Sequence, residues 1–234
     1  FDNPRGLATD SSGNLYVADF GNYRIQVFDS NGNYLRSWTA PQPTTHRPKD
    51  IAIDSSDNVY VINGRSDGSN TLNHSHVSKY TTTGTLLASW STYGTGSSQF
   101  IHTYGIAIGP SGNIHVSGGW DGGNTMKIVE FDNSGNYQTH WNLDKGHGSF
   151  AIDSSGKIYV SEDDYDRIAQ YDNATLVGKW GEYSNCGNTG NPDTICTNSH
   201  DGKFNSPHDL AFDGQGRLYV GEENGRRVQR FIIN

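Results

Sequence analysis

Hydrophobic and polar positions alternate along this chain in short bursts of period two, and the bursts come in matched pairs. Gly6–Asp19 (GLATDSSGNLYVAD) reads as an apolar strand, a Gly/Ser/Asn turn and a second apolar strand. The same pattern returns at Asp50–Asn63, Gly105–Gly118, Ser149–Glu162 and Asp209–Glu222. Each pair predicts a hairpin, because Gly and Asn accept positive φ and the leading Asp bonds its own backbone. A third strand (Arg24–Phe28, RIQVF), another tight turn and a fourth strand (Tyr34–Trp38, YLRSW) complete the first copy.

Five copies built only of strand signals, at a spacing of roughly 40–60 residues, predict an all-β chain folded as a β-propeller of four-stranded blades. The repeats span about residues 1–40, 41–92, 93–143, 144–181 and 204–234 of a single domain 1–234, with an inserted loop at 182–203. The fourth strand ends in Trp at positions 38, 90, 141 and 180, and these side chains are expected to pack between blades. The fifth copy ends on its third strand, so the last blade lacks its fourth.

PRGLATDSSGNLYVADFGNYRIQVFDSNGNYLRSW and FNSPHDLAFDGQGRLYVGEENGRRVQRF resemble consensus NHL repeats, and the resemblance extends over nearly the whole chain. NHL propellers commonly have six blades, so it implies either a five-bladed ring or a six-bladed ring completed elsewhere. It also implies an interaction platform.

In an antiparallel blade the first-to-second and third-to-fourth turns share one face, and here all of them are short. The second-to-third loops and the blade-to-blade links share the other face, which carries the long segments 64–76, 119–126, 39–48, 91–103 and 181–207. Residues opening the first strands should ring the channel mouth on that face: Arg5, Lys49, Tyr104, His147 beside Gly148, and His208. Trp120, in the Gly-rich segment SGGWDGGNT, is expected to lie in a loop there and to present an aromatic surface. Asp19, Glu162 and Glu222 at the ends of second strands should pair with Arg24, Arg167 and Arg227.

Ser206-Pro207-His208-Asp209-Leu210 is also similar to the Pro-His motif of the lyase domain of peptide-amidating enzymes, where such histidines bind zinc. Only the fifth copy carries it. His102, His147 and His208 are the candidates for a zinc set, which needs three protein ligands and an open position. The run Glu162–Asp166 makes Asp163, Asp164 and Asp166 calcium candidates. No cofactor is otherwise implied.

A formal charge of −8, with Lys plus Arg at 17 and no basic run, argues against nucleic acid as the partner. No stretch is apolar enough for a membrane span. Cys186 and Cys196 suit a local disulfide, and Asn73 and Asn173 stand in glycosylation sequons. Together they favour a secreted or cell-surface protein. Three functions follow: a binding or assembly module for protein or glycan, a metal-dependent lyase or hydrolase at the channel mouth, and a structural protein that forms homo-oligomers by strand addition to the incomplete blade.

Overall fold

The computed structural model describes residues 1–39, 47–64, 75–92, 94, 96–120, 123–143, 149–181 and 203–233. They form two compact units, Phe1–Asn142 and Leu143–Asn234. The fold is all-β, and every sheet is an antiparallel meander whose strands pair in chain order.

The first unit holds three four-stranded blades. Blade 1 comprises β1 (Pro4–Thr9), β2 (Leu15–Asp19), β3 (Arg24–Phe28) and β4 (Tyr34–Thr39). Blade 2 comprises β5 (Arg47–Ile53), β6 (Val59–Gly64), β7 (His76–Tyr80) and β8 (Leu86–Ser91). Blade 3 comprises β9 (His102–Ile108), β10 (Ile114–Trp120), β11 (Gly123–Phe131) and β12 (Tyr137–Asn142). The second unit holds blade 4, with β13 (Phe150–Ile152), β14 (Ile158–Glu162), β15 (Arg167–Asp172) and β16 (Thr175–Trp180). It also holds blade 5, a three-stranded sheet of β17 (Pro207–Phe212), β18 (Arg217–Glu222) and β19 (Arg227–Ile232).

Period-two patterning gives each blade two apolar faces, and neighbouring blades bury them against each other. Tyr16, Ala18, Ile25 and Val27 of blade 1 pack on Ile51, Val59, Val61 and Tyr80 of blade 2. The opposite face of blade 2, with Tyr60, Ile62 and Val77, packs on Ile106, Ile114, Val116 and Phe131 of blade 3. In the second unit Tyr159 and Ile168 meet Leu210, Leu218 and Val220.

Trp38 and Trp90 lie in these seams as expected. The Trp38 ring sits 6.2 Å from Tyr16 in its own blade and 5.7 Å from Tyr80 in the next. Trp90 repeats this between Tyr60 and Phe131. Each indole also sets a condition on the neighbouring third-to-fourth turn. Gly84 and Gly135 have φ of +88° and +87°, and a Cβ on either would come within 2.7 Å of Trp38 or Trp90. Only glycine satisfies both the backbone conformation and the contact.

Trp120 departs from expectation. The segment expected to be a loop is a continuation of the β10–β11 hairpin, in which Trp120 pairs with Gly123 after a bulge at Gly119/Trp120. Gly118 and Gly119 are paired with β9 and β11 on either side, so the glycines here continue a strand. Cys186, Cys196, Asn73 and His147 lie outside the described residues. Asn173 lies in the exposed turn joining β15 to β16 with φ of +44°.

Candidate functional site

Two polar devices recur at the blade ends, one in four blades and the other in three. At the short turns, Asp10 Oδ1 accepts the N–H groups of Ser12 and Asn14, while Oδ2 accepts the Tyr16 hydroxyl at 3.0 Å. Asp54–Tyr60, Asp153–Tyr159 and Asp213–Tyr219 repeat the carboxylate–hydroxyl bond at 3.1, 3.0 and 3.2 Å. Turn chemistry therefore occupies these oxygens.

At the other end, the buried Asp19 carboxylate accepts from Arg24 Nε at 2.8 Å, Gln26 Nε2 at 2.8 Å, Asn22 Nδ2 and the Asp2 N–H. Glu222 does the same with Arg227, Gln229 and the Asn205 N–H. Glu162 pairs with Arg167. The three expected cross-strand pairs are thus present, and they hold the second-to-third loops of blades 1, 4 and 5. In blades 1 and 4 that loop is a 3-10 turn, Phe20–Asn22 or Asp163–Tyr165, closed by a left-handed residue, Tyr23 or Asp166.

Two acidic residues of the Glu162–Asp166 run take structural roles. Glu162 faces Arg167, and Asp166 Oδ1 accepts the Ser206 N–H at 2.5 Å. Burial, with Glu222 and Asp163 nearby, holds the Asp166 carboxyl above its usual range despite the Ser206 bond. His102 opens β9 opposite Gly119, and His208 is exposed on β17. Among the described residues no three His, Cys, Asp or Glu side chains gather to hold a metal ion. His102 belongs to the first unit and His208 to the second, and His147 lies outside the described residues.

The channel-mouth candidates share a structural device absent from the sequence argument. In four blades the first strand carries one residue more than its partner near its start. Pro48 pairs with Asn63 and Asp50 with Ile62, leaving Lys49 as the bulged residue. Tyr104 is bulged between Thr103 and Gly105, and His208 between Pro207 and Asp209. In β1 the extra residue falls between Pro4 and Leu7, at Arg5-Gly6. A bulge re-aims a side chain out of the pleat, so the candidate positions are those the backbone singles out.

In the first unit the first strands lie close together. A Cβ on Gly6 would fall 2.5 Å from Asp50 Cα, and Asp50 Oδ2 accepts the Ile106 N–H at 3.0 Å. This proximity gathers cations. The Arg5 guanidinium lies 3.9 Å over the buried Phe20 ring. Arg47 lies 5.0 Å over the same ring and 4.5 Å over Tyr23, and donates to the Tyr23 hydroxyl at 2.7 Å. Lys49 Nζ donates to the Thr103 carbonyl at 3.2 Å. A Cβ on Gly64 would stand 2.6 Å from Lys49 Cε, so glycine leaves the groove in which the lysine lies. Desolvation first, and the Arg5 charge second, push the Lys49 ammonium down from 10.5 to about 8. Arg5 is likewise lowered by burial and then by Arg47. Among the described residues no carboxylate forms an ion pair with Arg5, Arg47 or Lys49. Phe20, Tyr23 and Arg47 escaped sequence reasoning; their one signal was position, since FGNY is a second-to-third loop and Arg47 ends a link on the same face.

The NHL repeat family model matches residues 1–28, the stretch holding the Asp10 turn and the Asp19–Arg24 pair. The human NHL repeat-containing protein 3 is 27% identical over 216 residues, covering 85% of this chain and 59% of that protein. The sheets are the blades of a β-propeller, and residues 1–28 carry an NHL repeat. The chain spans less than two thirds of the human relative's length. Among solved structures, the propeller is similar to a gluconolactonase from Xanthomonas campestris, with TM-score 0.67 and 15% identity over 94% of this chain and 69% of that one. Virginiamycin B lyase from Staphylococcus aureus gives TM-score 0.62 and 15% identity over 98% and 70%. At such identities the likeness to these enzymes is one of fold alone.

Proposed function

We propose that this NHL propeller is a secreted or cell-surface binding module that recognises a protein or glycan through the ends of its first strands. The observation that carries the proposal is the repeated bulge, which places an extra residue at Arg5-Gly6, Lys49, Tyr104 and His208, while the first-to-second turns keep an Asp-led design in four of the five blades. The gluconolactonase and lyase neighbours supply the competing class, a metal-dependent lyase or hydrolase. Peptide and glycan arrays probed with labelled protein distinguish the two. A binding module captures a discrete ligand class and loses it in Tyr104→Ala at unchanged melting temperature. Turnover of gluconolactone or of virginiamycin B after loading with zinc or calcium, with no ligand retained, would replace this proposal by the enzymatic one.

A second mode of use has its own support. β19 is the outer strand of its sheet, with Val228 69% and Ile232 74% exposed, whereas Ile168, at the register of Val228 in blade 4, is fully buried. Such an edge suits assembly by strand addition. Oligomers that dissociate on adding a peptide patterned on β16 would support it; a monomer at all concentrations in light scattering would end it.

A further inference from the structure

We infer that the cluster of Arg5, Arg47 and Lys49 is a carboxylate-recognition site that docks an acidic side chain of a peptide partner. The inference rests on the binding-module proposal and names its partner class. Two guanidiniums spread over one aromatic shelf are held by cation–π contact. Arg47 also spends a donor on Tyr23, but the remaining N–H edges suit planar, bidentate capture of a carboxylate. Lys49 adds a point charge deeper in, bracketed by the Thr103 carbonyl and by the space that Gly64 leaves open.

Three cations face each other here in a molecule whose acids outnumber its bases, 25 to 17. Their mutual repulsion is relieved by an anion. Asp50, next to Lys49 in the sequence, accepts the Ile51 N–H at Oδ1 and the Ile106 N–H at Oδ2. Lys49 is half-buried between the Thr103 carbonyl and Gly64. A carboxylate at the end of a slim flexible arm, as in Asp or Glu, brings less bulk to such a lysine than a uronate, whose carboxylate is attached directly to a sugar ring.

Selection of displayed random peptides on the full chain, followed by fluorescence anisotropy of the enriched sequences, tests this. Enriched peptides are expected to carry Asp or Glu and to lose affinity when these become Asn or Gln. Lys49→Met and Arg5→Gln/Arg47→Gln should each weaken binding at least about tenfold, with melting temperatures near that of the parent. Lys157→Met, on the turn at the opposite end of its blade, should leave affinity unchanged. Enrichment without acidic residues, or affinity indifferent to Lys49→Met and to the arginine pair, overturns the inference while the binding module stands. An oligogalacturonate that outcompetes the peptides at these residues overturns the peptide assignment. If neither peptides nor array glycans bind, the binding module itself falls.

Discussion

Asp10 holds its own turn with one oxygen and the second strand with the other. Burial raises its carboxyl, but bonds from Asn14, Tyr16 and Ser12 outweigh this and hold it below the usual range. Asp54 and Asp153 behave alike, and Asp213, bonded by Arg217, falls to about 2. The unfolded chain binds protons on these groups first, so their stabilisation is complete above the ordinary carboxylate value of about 4. It is lost as pH falls through the depressed values. Thermal melts should therefore show the melting temperature falling steadily below about pH 4, and Asp54→Asn should flatten that slope.

Lys49 has the opposite sense. Its folded value near 8 lies below its ordinary 10.5, so the unfolded chain holds the proton longer and stability rises with pH across that window. NMR of the reductively methylated protein should find one lysine titrating near 8. Arg5→Gln should move that titration upward, because it removes the second cause of the shift.

Asp19 is the residue whose loss should cost most. It is fully buried and satisfies Arg24, Gln26, Asn22 and a backbone N–H at once. Asp19→Ala leaves a cation and several donors without their acceptor and should destabilise by about 3–5 kcal/mol in chemical denaturation.

At the scale of the blade, each device recurs with variations that have physical reasons. Blade 3 has Gly109 and His115 where other blades have Asp and Tyr, and the pair changes together. A Cβ on Gly109 would stand 2.9 Å from His115 Cε1, and Glu130 takes over as the nearby acid, receiving Asn113 Nδ2 and lying 3.8 Å from His115 Nε2. Burial lowers the His115 pKa, more than Glu130 and the Asn113 backbone bond raise it. Trp90 shows what the inter-blade seams require. Trp90→Ala should cost about 3–5 kcal/mol by opening a cavity between Tyr60 and Phe131. Trp90→Phe should cost less than about 1.5 kcal/mol, since the Trp90 indole N–H has no acceptor among the described residues.

These elements were legible because strand alternation and Asp/Gly turns are local and repeat five times. The carboxylate–arginine pairs were legible because the cross-strand neighbours lie five residues apart in the first, fourth and fifth copies. The bulge was not, since one extra residue changes register without changing composition. Phe20 and Arg47 meet only after blades 1 and 2 pack, through a contact of long sequence separation. Trp120 was misplaced because glycine density is read as loop, whereas Gly118 and Gly119 are paired strand residues of β10.

Across the molecule, the two kinds of strand end carry different burdens. The Asp-led turns are satisfied internally and repeat nearly unchanged, while the ends bearing the bulges differ in side chain from blade to blade: Arg, Lys, Tyr, His. Variation placed on a conserved backbone device is how repeat folds build recognition surfaces. An island of three cations in a chain of net charge −8 adds a long-range term, so association should slow as ionic strength rises past the range where the Debye length is about 8 Å. Stopped-flow association rates against salt would show that dependence for an acidic ligand, and its absence in Arg5→Gln/Arg47→Gln.

The most direct measurement is hydrogen–deuterium exchange of the protein with and without its captured ligand. Recognition through the first-strand ends predicts protection concentrated at the bulges, around residues 4–6, 48–50 and 103–105, with the Asp10–Asn14 and Asp54–Asn58 turns unchanged. Protection centred on those turns, or none at the bulges at saturating ligand, would contradict it.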